Sequence, residues 1–166
     1  VKGIEVLLKA VQQIPDKSIK VFIIGDDTSD YARELKLKYK NDNTHFLGKQ
    51  LDVRPYLGIA DVFVIPTLDE GRKEGMPIAP LEAMASQRIV LGSRISGIKD
   101  ILKSFPVCLF TPGDDEDLSK KIESVKNMTL QERELLANKM RTYVEQELSI
   151  VTCIFNHESF YINILK

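Results

Sequence analysis

The sequence predicts an α/β fold, a Rossmann-like parallel sheet with helices on both faces. Three observations predict it. Short β-branched and aromatic runs alternate with amphipathic stretches along most of the chain. The run Val62-Phe63-Val64-Ile65 is apolar at every position, as in strands buried on both faces of a parallel sheet. Turn residues close the runs, at Gly25-Asp26-Asp27, at Gly48 and at Pro66. A length of 166 residues fits one compact domain over 1–166, with a helical tail from about residue 130.

Gly3 to Gln13 places Ile4, Leu7, Leu8 and Val11 at helical spacing and stops at Pro15, which predicts an amphipathic helix. Ile19 to Ile24 reads as a strand entering a tight loop, where Asp26 can cap the next helix. That helix carries Tyr31, Leu35 and Leu37 to Tyr39, and Asn41 to Asn43 break it. Thr44 to Leu47 make a short strand ended by Gly48. Asp52 caps a helix reaching about Ala60, and the strand Val62 to Ile65 ends at Pro66. The second half repeats this rhythm: helix Pro77 to Ser86, strand Ile89 to Leu91, short helix Gly97 to Leu102, strand Val107 to Phe110 and helix Asp114 to Met128. Leu130 to Glu147 and Ile150 to Leu165 read as two closing helices. A doubly wound sheet opens on a central strand, whereas this chain opens on a helix. The expectation is a preceding strand that belongs to the natural protein and is absent from these residues; a domain that begins with a helix is the alternative.

Hydrophobic residues at 43 % and charged residues at 28 % give a globular composition. Lys and Arg are offset by Asp and Glu, leaving a net charge of -1, which argues against an electrostatic nucleic-acid partner. Cys108 and Cys153 lie in apolar contexts and read as small core residues in a reducing environment. His45 and His157 are isolated, so the expectation is no metal. No apolar run approaches about 18 residues, so the expectation is no transmembrane segment and a cytoplasmic location.

The chemistry concentrates after the strand Val62 to Ile65. The charged loop Pro66 to Lys73 delivers Glu74-Gly75 directly before Met76-Pro77. Pro77 suits the first helical position, and Pro80 is tolerated in or just beyond the first turn. Ligands of open α/β sheets bind at the carboxyl ends of strands, and a helix start offers unpaired N–H groups and a positive dipole end to a diphosphate. Gly75 lets the backbone approach closely. Glu82 lies about 7.5 Å further along the axis, so a nucleoside diphosphate on the helix start places its ribose near that carboxylate, with Glu74 toward a sugar. Against this, a Glu before a Gly and a Glu within a helix are commonly plain surface residues. Ala83, Met84 and Ala85 read as core packing.

From Glu74 to Ala85 the sequence EGMPIAPLEAMA resembles the signature of the C-terminal, donor-binding domain of family 4 (group 1) glycosyltransferases, retaining enzymes of the GT-B architecture. Its glutamate pair with seven residues between is matched by Glu74 and Glu82. Weaker similarities surround it: Lys2-Gly3 with Leu7-Leu8, Phe46-Leu47-Gly48, Ala60 to Pro66, and Gly97-Ile98 with Asp100-Ile101. The resemblance implies a nucleotide diphosphate sugar as donor substrate with no further cofactor. It implies Lys2 on the donor diphosphate, Gly48 beside the base, the backbone of Gly75, Met76, Pro77 and Ile78 on the distal phosphate and sugar, Glu74 on the sugar hydroxyls and Glu82 on the ribose. Lys2 and Glu74 would be the catalytic pair, without a nucleophilic role for Glu74. The implied partners are an acceptor-binding N-terminal domain, absent here with an arginine that precedes Lys2, and a lipid-linked or saccharide acceptor in polysaccharide or glycolipid assembly. The cytoplasmic face of a membrane is the implied setting, and these residues alone would be nearly inactive.

Departures from the family pattern are Gln87 and Ile89 in place of glycine and proline, Ser96 in place of a second glycine, and the less glycine-rich Gly25-Asp26-Asp27 loop. Glu70-Gly71 imitates the signature opening, but Ile78 stands where its partner carboxylate would be. Arg72 and Lys73 read as loop solvation rather than phosphate ligands. The competing readings are a dinucleotide-dependent enzyme, which lacks a glycine-rich fingerprint, a metal-binding regulatory module using Asp26 and Asp27, and a GT-B epimerase.

Overall fold

The computed structural model describes residues 2–16, 18–70 and 75–164. Five strands and eight α-helices follow one another as α1 (Ile4–Gln13), β1 (Val21–Ile24), α2 (Asp30–Tyr39), β2 (Thr44–Gly48), α3 (Arg54–Ile59), β3 (Val62–Ile65), α4 (Ile78–Ala85), β4 (Ile89–Ser93), α5 (Ile98–Ile101), β5 (Leu109–Phe110), α6 (Asp115–Lys126), α7 (Leu130–Glu147) and α8 (Ile150–Ile164). All strand pairings between these elements are parallel, β1 with β2, β3 with β4, and β4 with β5. The strands form two groups, β1-β2 and β3-β4-β5, and β1 is not hydrogen-bonded to β3. A single parallel strand between β1 and β3 would turn this order into the 3-2-1-4-5-6 arrangement of a doubly wound sheet.

Helix α1 brackets the two groups. Its Val6 and Ala10 join the main core with Ile65, Met84, Val90, Leu91, Phe110, Leu118 and Met140, while its Leu8 joins the smaller core of Val21, Leu35 and Tyr39. Two faces of one amphipathic helix are therefore buried, which needs apolar residues over more than one stripe. Glu5 on the polar side of α1 accepts from Lys38 Nζ and from Tyr39 OH, both at 2.9 Å, tying α1 to α2. These hydrogen bonds hold the Glu5 carboxyl below its ordinary range. Gln13 at the other end bonds Asp115 on α6.

Local differences from the sequence reading have physical causes. Ser29, not Asp26, caps α2 by accepting from Ala32 N–H at 3.2 Å. Asp26 instead closes its own turn, accepting from the Thr28 N–H and hydroxyl at 3.0 and 2.7 Å. Asp52 accepts from Arg54 N–H at 3.0 Å, so it serves the start of α3 from one residue before the cap position. The strand expected from Val107 is a 3-10 turn, Pro106–Cys108, followed by the two-residue β5, because Pro106 fixes the first position of the turn. Pro77 sits at the cap position of α4 in extended backbone rather than at its first helical residue. Cys108 is buried, and burial pushes its thiol up to about 11, but Cys153 is exposed on α8. Ala83 and Met84 are fully buried, whereas Ala85 is exposed. No helix among the described residues is long and apolar enough to cross a membrane.

Candidate active site

The described candidate residues lie at the carboxyl ends of the strands or on the helices that follow or adjoin them. Gly3 begins α1 in left-handed backbone at φ 65°, and a Cβ placed on it would stand 1.8 Å from the Pro66 carbonyl oxygen. The start of α1 is thus seated against the exit of β3, with nothing but backbone between them. Lys2 is exposed and directly precedes Gly3 in the chain. The loop itself runs inward first: Ile65, Pro66 and Thr67 are buried and Leu68 packs on the main core. Leu68 also approaches Gly113 in the β5–α6 turn, within 3.8 Å of an added Cβ. Ser93, at the end of β4 and fully buried, donates to the Ile65 carbonyl at 3.2 Å and fixes the neighbouring strand exit.

The start of α4 is open to solvent. Gly75 is exposed and a Cβ there would meet open space, while Met76 and Ile78 are 56 % and 68 % exposed. Pro80 is buried and anchors the first turn to the core. Because Ile78 is the first helical residue, its N–H and those that follow before Pro80 lack partners within the helix. Glu82 follows one turn on and is exposed. Glu74 lies outside the described residues, as do Gly71, Arg72 and Lys73.

On the other half-sheet, Gly48 ends β2 in left-handed backbone at φ 66°, and its carbonyl accepts from Gly25 N–H at 3.0 Å. The Asp27 carboxylate lies over it, 3.5 Å from where a Cβ would be, and pairs with Lys36 Nζ at 3.5 Å. Asp26 and Asp27 are therefore engaged separately, one in its own turn and the other with a lysine. His45 stacks on Phe22, ring centroids 5.3 Å apart.

Two features of the site were not read from the sequence. The Thr67 hydroxyl is buried and has no hydrogen-bond partner, and Asp27 rather than Asp26 faces Gly48. Each depends on contacts between distant segments. The only local signal for Thr67 is a hydroxyl residue directly after a strand-ending proline.

An open parallel α/β sheet, with a glycine-bearing helix start and a lysine at its carboxyl edge, defines a nucleotide-binding class of domain. The family model for glycosyl transferases group 1 matches residues 1–146. The chain belongs to that family. It is 25 % identical over 148 residues to the Campylobacter jejuni N,N'-diacetylbacillosaminyl-diphospho-undecaprenol alpha-1,3-N-acetylgalactosaminyltransferase, covering 89 % of this chain and 37 % of that protein. Among solved structures, Anabaena HepE in complex with UDP superposes with a TM-score of 0.84 at 20 % identity, covering 98 % of this chain and 45 % of that one. The C-terminal domain of LpcC, a glycosyl transferase group 1 family protein from Francisella tularensis, superposes with a TM-score of 0.73 at 22 % identity, covering 90 % and 80 %. The chain thus spans less than half of the full-length relatives and most of an isolated C-terminal domain, and its fold is that of a GT-B glycosyltransferase domain.

Proposed function

We propose that residues 1–166 form the donor-binding, C-terminal domain of a retaining glycosyltransferase, which holds a nucleotide diphosphate sugar for transfer to a hydroxyl acceptor. The observation that carries the reading is the seam between Gly3 and Pro66. It seats the start of α1, next to Lys2, on Pro66, the first residue of the segment that leads on to α4, and the reading puts a diphosphate between these two helix starts. The match of Glu74 and Glu82 to the family signature supplies the two ends of the ligand.

In this reading the backbone from Gly75 to Ile78 holds the distal phosphate, Lys2 offsets the charge that grows on the leaving diphosphate, and Glu82 accepts from the ribose hydroxyls. Gly48 lies beside the base and Glu74 holds the sugar. The bond from the anomeric carbon to the diphosphate oxygen breaks as the bond to the acceptor oxygen forms on the same face. The acceptor proton passes to the departing diphosphate, so neither carboxylate is a nucleophile, unlike the paired carboxylates of glycoside hydrolases. No resident metal or cofactor is assigned. The acceptor domain, the strand and arginine preceding Lys2, and a saccharide or lipid-linked acceptor belong to the rest of the enzyme, which we place at the cytoplasmic face of a membrane.

The test is ligand-detected binding of a panel of nucleotide sugars to this chain and to its Glu82→Ala variant. The reading expects binding that falls about tenfold or more without the carboxylate. Binding that persists unchanged in the variant removes the ribose assignment, and no binding to the parent chain removes the donor-site reading.

A further inference from the structure

Thr67 is 4 % exposed, and its hydroxyl is buried without a hydrogen-bond partner. A hydroxyl left in this state costs free energy that a methyl group of the same size would not. The other buried side-chain groups without partners among the described residues, Arg133 Nε and Tyr143 OH, lie on α7. Arg133 approaches Asp61 at 3.9 Å, at the entry of β3 and therefore at the opposite end of the strands from the site. Thr67 alone of the three stands at the carboxyl end. It directly follows Pro66, whose carbonyl receives the α1 start, and precedes Leu68, which is wedged toward Gly3 and Gly113. The loop that carries the unsatisfied hydroxyl is thus the loop that joins the Lys2 side of the site to the Gly75 side.

We infer that Thr67 is a further ligand-binding residue, whose hydroxyl donates to a phosphate oxygen of a bound nucleoside diphosphate. This rests on the donor-site reading above. Threonine populates discrete staggered rotamers about χ1, and a rotation of about 120° puts its methyl where the hydroxyl was while the hydroxyl takes the place of the Cβ hydrogen. In the unliganded protein the hydroxyl is turned away from water. With an anion between Lys2 and the start of α4, rotation gives the hydroxyl a charged acceptor and puts the methyl in the buried position. The unmet hydrogen bond of the free protein then becomes a gain on binding, because a polar group with no partner loses nothing when it turns toward the phosphate.

The test pairs two readouts on this chain, thermal stability without ligand and affinity for uridine diphosphate, with inorganic pyrophosphate as a second probe. Thr67→Val replaces the hydroxyl with an isosteric methyl. It is expected to melt at the same temperature or a few degrees higher while losing about tenfold or more in affinity for both probes, since a hydrogen bond to a charged acceptor is lost. Thr67→Ser is expected to keep the affinity within a few-fold. Three results overturn the inference: affinity of Thr67→Val equal to the parent; a lower melting temperature together with lower affinity, which makes the hydroxyl a structural group; or loss of affinity in Thr67→Ser equal to that in Thr67→Val. If the parent chain binds neither probe, the donor-site reading falls with it, whereas parent binding that is indifferent to Thr67 removes this inference alone.

Discussion

Replacing Gly3 with alanine probes the seam on which the site is built. The residue lies at φ 65°, and its added Cβ would stand 1.8 Å from the Pro66 oxygen and 2.9 Å from the Pro66 carbonyl carbon. Left-handed backbone costs an alanine about 1–2 kcal/mol. The overlap is with backbone, so it cannot be relieved by turning a side chain. Either α1 or the β3 exit must move by more than an ångström, which adds about 1–3 kcal/mol by analogy with overpacked cores. The sum is about 2–5 kcal/mol, or roughly 5–15 °C in melting temperature for a domain of this size. Diphosphate affinity should fall as well, because the shift separates Lys2 from the loop leading to Gly75. The assay is thermal melting by circular dichroism with uridine diphosphate titration, alongside Gly58→Ala, where an added Cβ meets nothing within 4 Å. Gly58 lies within α3, so that control should gain about 0.5–1 kcal/mol. A Gly3→Ala variant that melts within about 2 °C of the parent would refute the claim that α1 is seated on Pro66.

Other expectations follow from the same geometry. Gly75→Ala should melt like the parent, since its Cβ enters open space, yet bind diphosphate less tightly, which titration would show. Gln87 is the one described non-glycine residue with positive φ, at 57°, and it stands where the family usually has glycine; Gln87→Gly should stabilise by about 1 kcal/mol, measured by urea unfolding. Thiol labelling of the native chain should modify Cys153 rapidly and Cys108 only on unfolding, because burial raises the Cys108 thiol to about 11. Partial burial opposes ionisation of Asp117, but the Thr111 N–H and hydroxyl hold its carboxyl below the ordinary range, and Thr129 does the same for Glu132. Carboxyls depressed on folding contribute stability above their unfolded values and lose it as pH falls through the folded ones. The melting temperature should therefore be flat near neutrality and decline below about pH 4.

The legible parts of this protein are those set by local pattern. Val62 to Ile65 reads as a buried parallel strand because every position is apolar and Pro66 ends it, and β3 spans those residues. The closing helix read from Leu130 to Glu147 has those bounds in α7, where Thr129 and Glu132 form a reciprocal cap. Where apolar residues occupy every face, pattern cannot assign a side: on α8, Ile150, Ile154, Phe155 and Phe160 are all exposed, and Cys153 went with them. Within the candidate site, Glu82 and Gly75 are proposed from residue type and spacing and Lys2 from the family resemblance. The seating of the α1 start on the β3 exit has no local signal, since it arises from the left-handed turn at Gly3 meeting a carbonyl 63 positions away. The unsatisfied hydroxyl of Thr67 is likewise a property of tertiary contacts.

The central claim is that a diphosphate lies between the starts of α1 and α4. Backbone amide shifts on titration with uridine diphosphate test it most directly. The largest changes are expected at Gly3, Ile4, Gly75, Met76 and Ile78, with Gly48 responding to the base. Changes confined to α7 and α8, or changes equal in size across the chain, would contradict it.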